Sequence, residues 1–405
     1  MKALIGKKAL VATTAMAGMI LGSLGSAAGA RQDSASLQGE GKGLKLIANI
    51  PYASGSDMEF TTIKGRDYAF TGSFASVEDG GGLHVIDITN PEKPKEVAWL
   101  KCPVYQNDIQ ISHDNKTVIM AADSAGGPES CLAVGKKGFM TVDITNPKKP
   151  KPIGFAEIAR GSHNTTAHPT QPIVYNSDSD LTNRGVIEIW SIKNPAKPEK
   201  VNEMIVPGLS PHDISFNKKG TMAVTAGIDT IELIDTSDPT KPTLKFVFQC
   251  PGCSITHDAK FTPDGKGLIV GDEGGGGGGY PCPGGALYFY SLQGDTVPVL
   301  TGIYEPGEVL FARDDQGGLG GCTAHVFDIS DDGKKVAISW YTAGTRYLDV
   351  SSPVGPTFGE RGTGVKELGW FQPEGGNTWS SKFYKGPYIF SNDINRGFDV
   401  FKIGK

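Results

Sequence analysis

An all-β fold in which seven four-stranded sheets close into a ring, a seven-bladed β-propeller, is what this sequence predicts. Three observations carry the prediction. Short β-branched runs are separated by turn residues with no sustained helical period; one phrase recurs seven times; and an early strand matches the piece missing from the last repeat.

The composition excludes long helices, because 55 Gly and 26 Pro are scattered through 405 residues. Length alone suggests two domains, and the repeats reduce them to one. Lys2, Lys7 and Lys8, an apolar Gly/Ala-rich stretch to about Gly25, and Ala28-Gly29-Ala30 form a signal-peptide pattern. The expected organisation is therefore a signal peptide over 1–30, a flexible segment over 31–43 and a single propeller over 44–405. The protein is expected to be secreted (extracellular or cell-surface associated) and monomeric, with no membrane span. Its formal net charge of −5 grows more negative once the three lysines are removed. Such a surface repels phosphates, so nucleic acid is not an expected partner.

The repeated phrase is clearest at Gly81–Pro94, Lys137–Pro150, Gly185–Pro198 and Thr230–Pro242, where a β-branched run ends in Asp-Ile-Thr-Asn-Pro or a close variant. Weaker copies follow at Gly285–Leu292, Gly344–Pro353 and Gly397–Ile403. Aligned on Asp87, Asp143, Ser191, Asp235, Tyr290, Asp349 and Asp399, the copies lie 44 to 59 residues apart, the period of a propeller blade. The Asx residue bonds its own downstream backbone, and Pro removes an amide from further pairing. Hairpins complete each blade, as in His212–Phe216 and Met222–Ala226 around a Gly-containing turn. The seventh copy is followed by no fourth strand. Leu44–Ile50 matches the other fourth strands, so it is expected to close the last blade and remove two open edges.

The Asp-Ile-Thr-Asn-Pro-x-Lys-Pro phrases, and the end from Asn377-Thr378-Trp379 to Val400-Phe401, resemble the LVIVD repeat of bacterial and archaeal extracellular propellers. That resemblance implies the fold and export, and little about chemistry.

Six cysteines in an exported chain point to disulfides. All six fall in loops on one face. Cys102–Cys131 joins the approach to blade 2 with that blade's own loop. Cys282–Cys322 would link blades 5 and 6 and leave Cys250–Cys253, with Cys253–Cys282 as the competing pairing.

The inner strands begin Ser56-Asp57, Asn107-Asp108, His163-Asn164, His212-Asp213, His257-Asp258, His325-Val326 and Trp379-Ser380. Four of seven histidines thus hold one register position on consecutive blades. WD-type propellers place a structural His here, bonded to an Asp of the same blade, and Asp123, Asp178, Asp272 and Asp393 are the candidate partners. Asp or Asn persists in blades without His, however, and His325 lacks a following Asp. His163, His212, His257 and His325 are therefore read as ligands of a metal at the top of the channel, iron or copper favoured and zinc allowed. In this one respect the layout is similar to carotenoid-cleaving propellers, which hold iron with four histidines. Asp272, Glu273, Asn107 and Trp379 are the candidate pocket residues, with the glycine run after Glu273 as a flap. His84, His113 and His168 are assigned to packing or solvent.

Two functions follow. One is a metal-dependent oxidoreductase whose small-molecule substrate sits at the top face. The other is a non-catalytic module that docks an extracellular protein or polysaccharide there and whose histidines are structural.

Overall fold

A computed structural model describes residues 37–178, 184–274, 284–294, 297–306, 321–352 and 364–404. Ser34–Lys405 is a compact unit, and Met1–Asp33, which holds the signal pattern, lies outside the described residues. Seven antiparallel sheets make a seven-bladed β-propeller. No helix among the described residues is long and apolar enough to cross a membrane.

Blade 1 comprises Gly55–Ile63, Arg66–Ser73, Gly82–Asp87 and Lys95–Leu100 from the axis outward, and blade 2 comprises Val104–Ile111, Thr117–Ala125, Gly138–Asp143 and Lys151–Glu157. The inner strands of blades 3 to 7 are Asn164–Ala167, Asp213–Phe216, Thr256–Phe261, Phe327–Ile329 and Thr378–Phe383. The repeated phrase forms two successive Asx turns. In blade 1 Asp87 accepts the Thr89 amide at 3.1 Å and Asn90 that of Glu92 at 3.1 Å; in blade 2 Asp143 and Asn146 take those of Thr145 and Lys148. This is why the phrase marks the end of a third strand.

Apolar side chains are shared between neighbouring sheets, and each of the seven seams has its own cluster. Phe70 and Val85 of blade 1 meet Met120 and Val142 of blade 2; Ile86 meets Phe398 and Val400 across the closing seam. Burial is thus distributed around a ring, which leaves the axis free for polar groups.

Leu44–Ile50 pairs with Gly397–Ile403, from Leu44 opposite Ile403 to Ile50 opposite Phe398, and supplies the fourth strand of blade 7. Lys382 bridges from this blade to Asp57 and Glu59 of blade 1 at 2.9 Å each. One expectation is corrected. The segment assigned as flexible contains a strand, Gly39–Lys42, which adds a fifth member to blade 6 by pairing with Lys366–Pro373. Its alternating glycines suggest flexibility but have a packing role: a Cβ on Gly41 would press into the Phe371 ring, and Gly43 turns with φ +69° against the Leu368 carbonyl.

Cys102 is bonded to Cys131 and Cys250 to Cys253, with Cα separations of 5.3 and 5.4 Å. Cys253 is therefore not available to Cys282. Cys322 is also disulfide-bonded, and Cys282 lies outside the described residues.

Candidate metal centre at the head of the channel

The four aligned histidines stand at or just before the starts of inner strands. Backbone amides hold three of them to the second strand of their own blade: His163 to Ser177, His212 to Ala226 and His325 to Ser339, at 2.7 to 3.0 Å. His257 sits at a register shift between Thr256 and Asp258. With the backbones fixed, the rings form an arc: successive centroids lie 4.3, 4.2 and 4.1 Å apart from His163 through His212 and His257 to His325. All four are buried.

The hydrogen bonds determine which nitrogens face inward. His163 donates from Nδ1 to Asp123 at 3.1 Å, leaving its Nε2 lone pair 2.9 Å from His212 Nε2 and 3.0 Å from the Gln106 amide nitrogen. His325 donates from Nδ1 to the Trp379 carbonyl at 2.6 Å, so its Nε2 is also the acceptor. Glu273 completes the group. Its Oε1 lies 3.8 Å from His325 Nε2 and accepts the Tyr341 hydroxyl at 2.8 Å, while Oε2 lies 3.9 Å from His257 Nε2. Donor atoms of His212, His257 and Glu273 all lie within 4.8 Å of one another.

Burial, reinforced by the neighbouring imidazoles, holds His212 and His257 well below the usual histidine range; burial likewise lowers His325 to about 3. Burial also pushes Glu273 up to about 8, with Asp272 adding to the effect and the Tyr341 hydrogen bond opposing it. His212, His257 and His325 are therefore presented as neutral imidazoles, the form that binds metals. With metal–nitrogen bonds of ~2.0–2.1 Å, donors as close as the His163–His212 pair would subtend roughly a right angle at an ion, and those near the diameter of such a sphere a wide one.

The remaining expected residues divide. Trp379 packs edge-on to His325 at 4.5 Å. Asp272 anchors its loop by accepting the Ser254 and Ile255 amides at 2.9 Å, and Asn107 donates to the carbonyls of Ser73 and Gly82 at 3.1 Å, so both are scaffold rather than pocket. Of the four aspartates considered as histidine partners, Asp123 bonds one among the described residues, and it lies on blade 2 while His163 is on blade 3. Asp178 pairs with Arg160 and Ser210, and Asp393 accepts the Asn377 amide. His84 is stacked between Tyr52 and Trp99, His168 donates to the Gly220 carbonyl, and His113 is exposed. Most of the glycine run after Glu273 lies outside the described residues.

Two contributors carried no sequence signal. Tyr341 reads as an ordinary core aromatic beside Trp340. Gln106 reaches His163 from a left-handed backbone, φ +75°, followed by Asn107 at +54°, which a strand pattern does not reveal.

The cavity at the histidines extends down the channel. It measures about 440 Å³; His212, His257, His325 and Trp379 line one end, and the hairpin residues Phe216, Lys218, Phe261 and Pro263 the other. The inner strands line this cavity, because they run along the channel over their whole length.

Comparison with known proteins bears on the fold. The family model of the LVIVD repeat matches residues 64–99 and 130–154. No curated protein matches this sequence. Similar solved structures include a functionally unknown protein from Desulfotomaculum acetoxidans DSM 771, 16% identical over 78% of this chain and 88% of that one, with a TM-score of 0.53. The β-propeller domain of Myceliophteria thermophila Cps50 (Swd1) is 9% identical over 89% of this chain and 100% of its own, with a TM-score of 0.59. Kuenenia stuttgartiensis hydrazine synthase is 14% identical over 83% of this chain and 92% of that one, also at 0.59. At such identities the likeness concerns the fold alone. The chain is a seven-bladed β-propeller with two segments, 64–99 and 130–154, that match the LVIVD repeat.

Proposed function

We propose that this chain is an exported metalloprotein that holds one transition metal ion, iron or copper in preference to zinc, among His163, His212, His257, His325 and Glu273. The observation that carries the reading is the facing of imidazole nitrogens from neighbouring blades, with His163 and His212 meeting Nε2 to Nε2 at 2.9 Å. Nitrogen-rich ligation with one carboxylate suits iron, copper and zinc. The outer partners fit as well: Asp123 behind His163 and the Trp379 carbonyl behind His325 orient the rings as partners of ligating histidines do. Bound iron or copper would supply one-electron chemistry, which makes an oxidoreductase the reaction class we favour. The chain's own contribution is to hold His212, His257 and His325 as neutral donors in a buried arc and to keep the Tyr341 hydroxyl on Glu273. Export is supported by the N-terminal pattern and the bonded cysteines.

One observation favours the alternative of a non-catalytic extracellular module. The Gln106–His163–His212 contacts also satisfy hydrogen bonding without an ion. Metal analysis of protein purified without an affinity tag separates the two. Near-stoichiometric iron or copper that disappears in His212→Ala and His257→Ala supports the metal centre. Folded protein that takes up no metal at any loading overturns it.

A further inference from the structure

Below the histidines the cavity has an excess of carboxyl groups that the metal centre does not use, and burial pushes those of Glu59, Asp108, Asp213 and Asp328 above the usual carboxylate range. Asp57, Glu59, Asp108, Asp213, Asp328 and Asp331 line the cavity, against Lys260 and Lys382 in the channel and Lys218 at the hairpin end. Both ammonium groups in the channel are committed. Lys382 lies 2.9 Å from each of Asp57 and Glu59, and Lys260 is paired with Asp258 on its own strand. No cation among the described residues comes within ion-pair distance of Asp108, Asp213 or Asp328. Asp108 accepts the Thr165 amide at 3.0 Å and shares a side-chain hydrogen bond with Asp57, Asp213 accepts the Ile214 amide at 2.6 Å, and Asp328 accepts those of Ile329 and Phe383 at 2.9 Å each.

A second observation is independent of the carboxylates. His257 is 4% exposed, borders the same cavity, and has an Nδ1 with no hydrogen-bond partner. A buried polar group left unsatisfied costs free energy, so a cavity with such a group in its wall is built for an occupant. Size and lining define that occupant. A volume of about 440 Å³ is that of a small-molecule pocket and far exceeds one ion. Phe216, Phe261 and Ile214 line the cavity toward the hairpin end, an apolar surface that would gain nothing from a hydrated metal ion.

We propose that the channel binds a small organic cation, an alkylammonium, with its charged end among Asp108, Asp213 and Asp328 and its apolar part toward Phe216 and Phe261. It enters from the hairpin face, opposite the cysteine-bearing loops. This names the ligand class of the proposed metal centre and rests on that reading only for the histidine wall of the cavity.

The test is calorimetric titration at low ionic strength with butylammonium chloride, its neutral isostere 1-butanol and the anion butyrate. Chelator-treated and zinc-loaded protein are compared, and metal content is measured on the same samples. Butylammonium is expected to bind at least about tenfold more tightly than butanol, the worth of one charge-assisted hydrogen bond, with butyrate weaker still. Asp108→Asn and Asp213→Asn, which keep an acceptor for the backbone amide, should each weaken it by about the same factor. Equal binding of cation and alcohol, no binding of either, or unchanged affinity in variants with native melting overturns the proposal. The cation–alcohol comparison needs no variant, so a substitution that fails to fold leaves the test intact. Cation selectivity in protein that takes up no iron, copper or zinc would defeat the metal reading and keep this one; stoichiometric metal without selectivity would do the reverse.

Discussion

His163 and His212 come from different blades and meet nitrogen to nitrogen at 2.9 Å, with Asp123 fixing the tautomer of the first. Two lone pairs cannot share that gap, so a proton or a metal ion must lie between them. An ion that binds the folded ring and not the unfolded chain should raise its melting temperature. About 2.7 kcal/mol of stabilisation is expected at a hundredfold excess over Kd. Differential scanning calorimetry with copper or iron titrated into metal-free protein should show the rise, and His212→Ala should abolish it.

Asp123 acts through His163. Asp123→Asn keeps the shape but no longer presents a charged acceptor to Nδ1, and loss of such a partner weakens metal binding by about 10–100-fold. Competition with a chromophoric chelator measures this, and an unchanged affinity would assign Asp123 to the scaffold.

Lys382 clamps the seam between the last and first blades. It is buried against Asp57, Glu59 and the Met58 carbonyl. Lys382→Met leaves two carboxylates without their cation and should cost about 3–5 kcal/mol, read from urea unfolding. Replacing Asp57 and Glu59 with Asn and Gln in the same chain should recover part of the loss.

Acid should loosen the blade ends. The Ser237 amide and Lys245 hold Asp235 at about 2, and the Ser351 hydroxyl and amide hold Asp349 below the usual carboxylate range. Both folded values lie below the unfolded value of ~3.9, so the stability they contribute is complete above that pH and is lost as pH falls through about 4 toward 2. Melting temperatures across that interval should fall less steeply in the Asp235→Asn, Asp349→Asn double variant.

The two N-terminal strands differ in weight. Leu46 is 4% exposed in the seam between blades 6 and 7, and Leu46→Ala should cost about 2–5 kcal/mol. Gly39–Lys42 is exposed throughout, so removing residues 1–42 should shift the urea midpoint far less.

Much of this architecture was legible from the repeat. Asp87 and Asn90 announce their turns chemically, and Leu44–Ile50 has the pattern of every other fourth strand. The histidine register was legible for the same reason, since one position in a repeat maps to one height in the channel. Pairing between blades was not. Asp123 lies near the end of the second strand of blade 2 and reaches His163 across the seam, a contact between repeats that the register within one repeat does not show. Gln106 and Tyr341 depend on left-handed backbone turns, and neither residue type signals one. Gly39–Lys42 looked like linker because its fit to Phe371 is made by the absence of side chains.

That strand has a mechanical consequence. Gly39–Lys42 is paired to blade 6, and only Gly43 separates it from Leu44–Ile50 on blade 7. One continuous ribbon therefore crosses a seam, as a bandage crosses a cut. Parting blades 6 and 7 means peeling a strand from one sheet or the other, whereas other seams carry isolated backbone bridges such as Ile228–Thr256 beside their side-chain packing and connecting loops. When the circle breathes, the breach should open elsewhere, and amides beside the ribbon should be among the slowest to exchange.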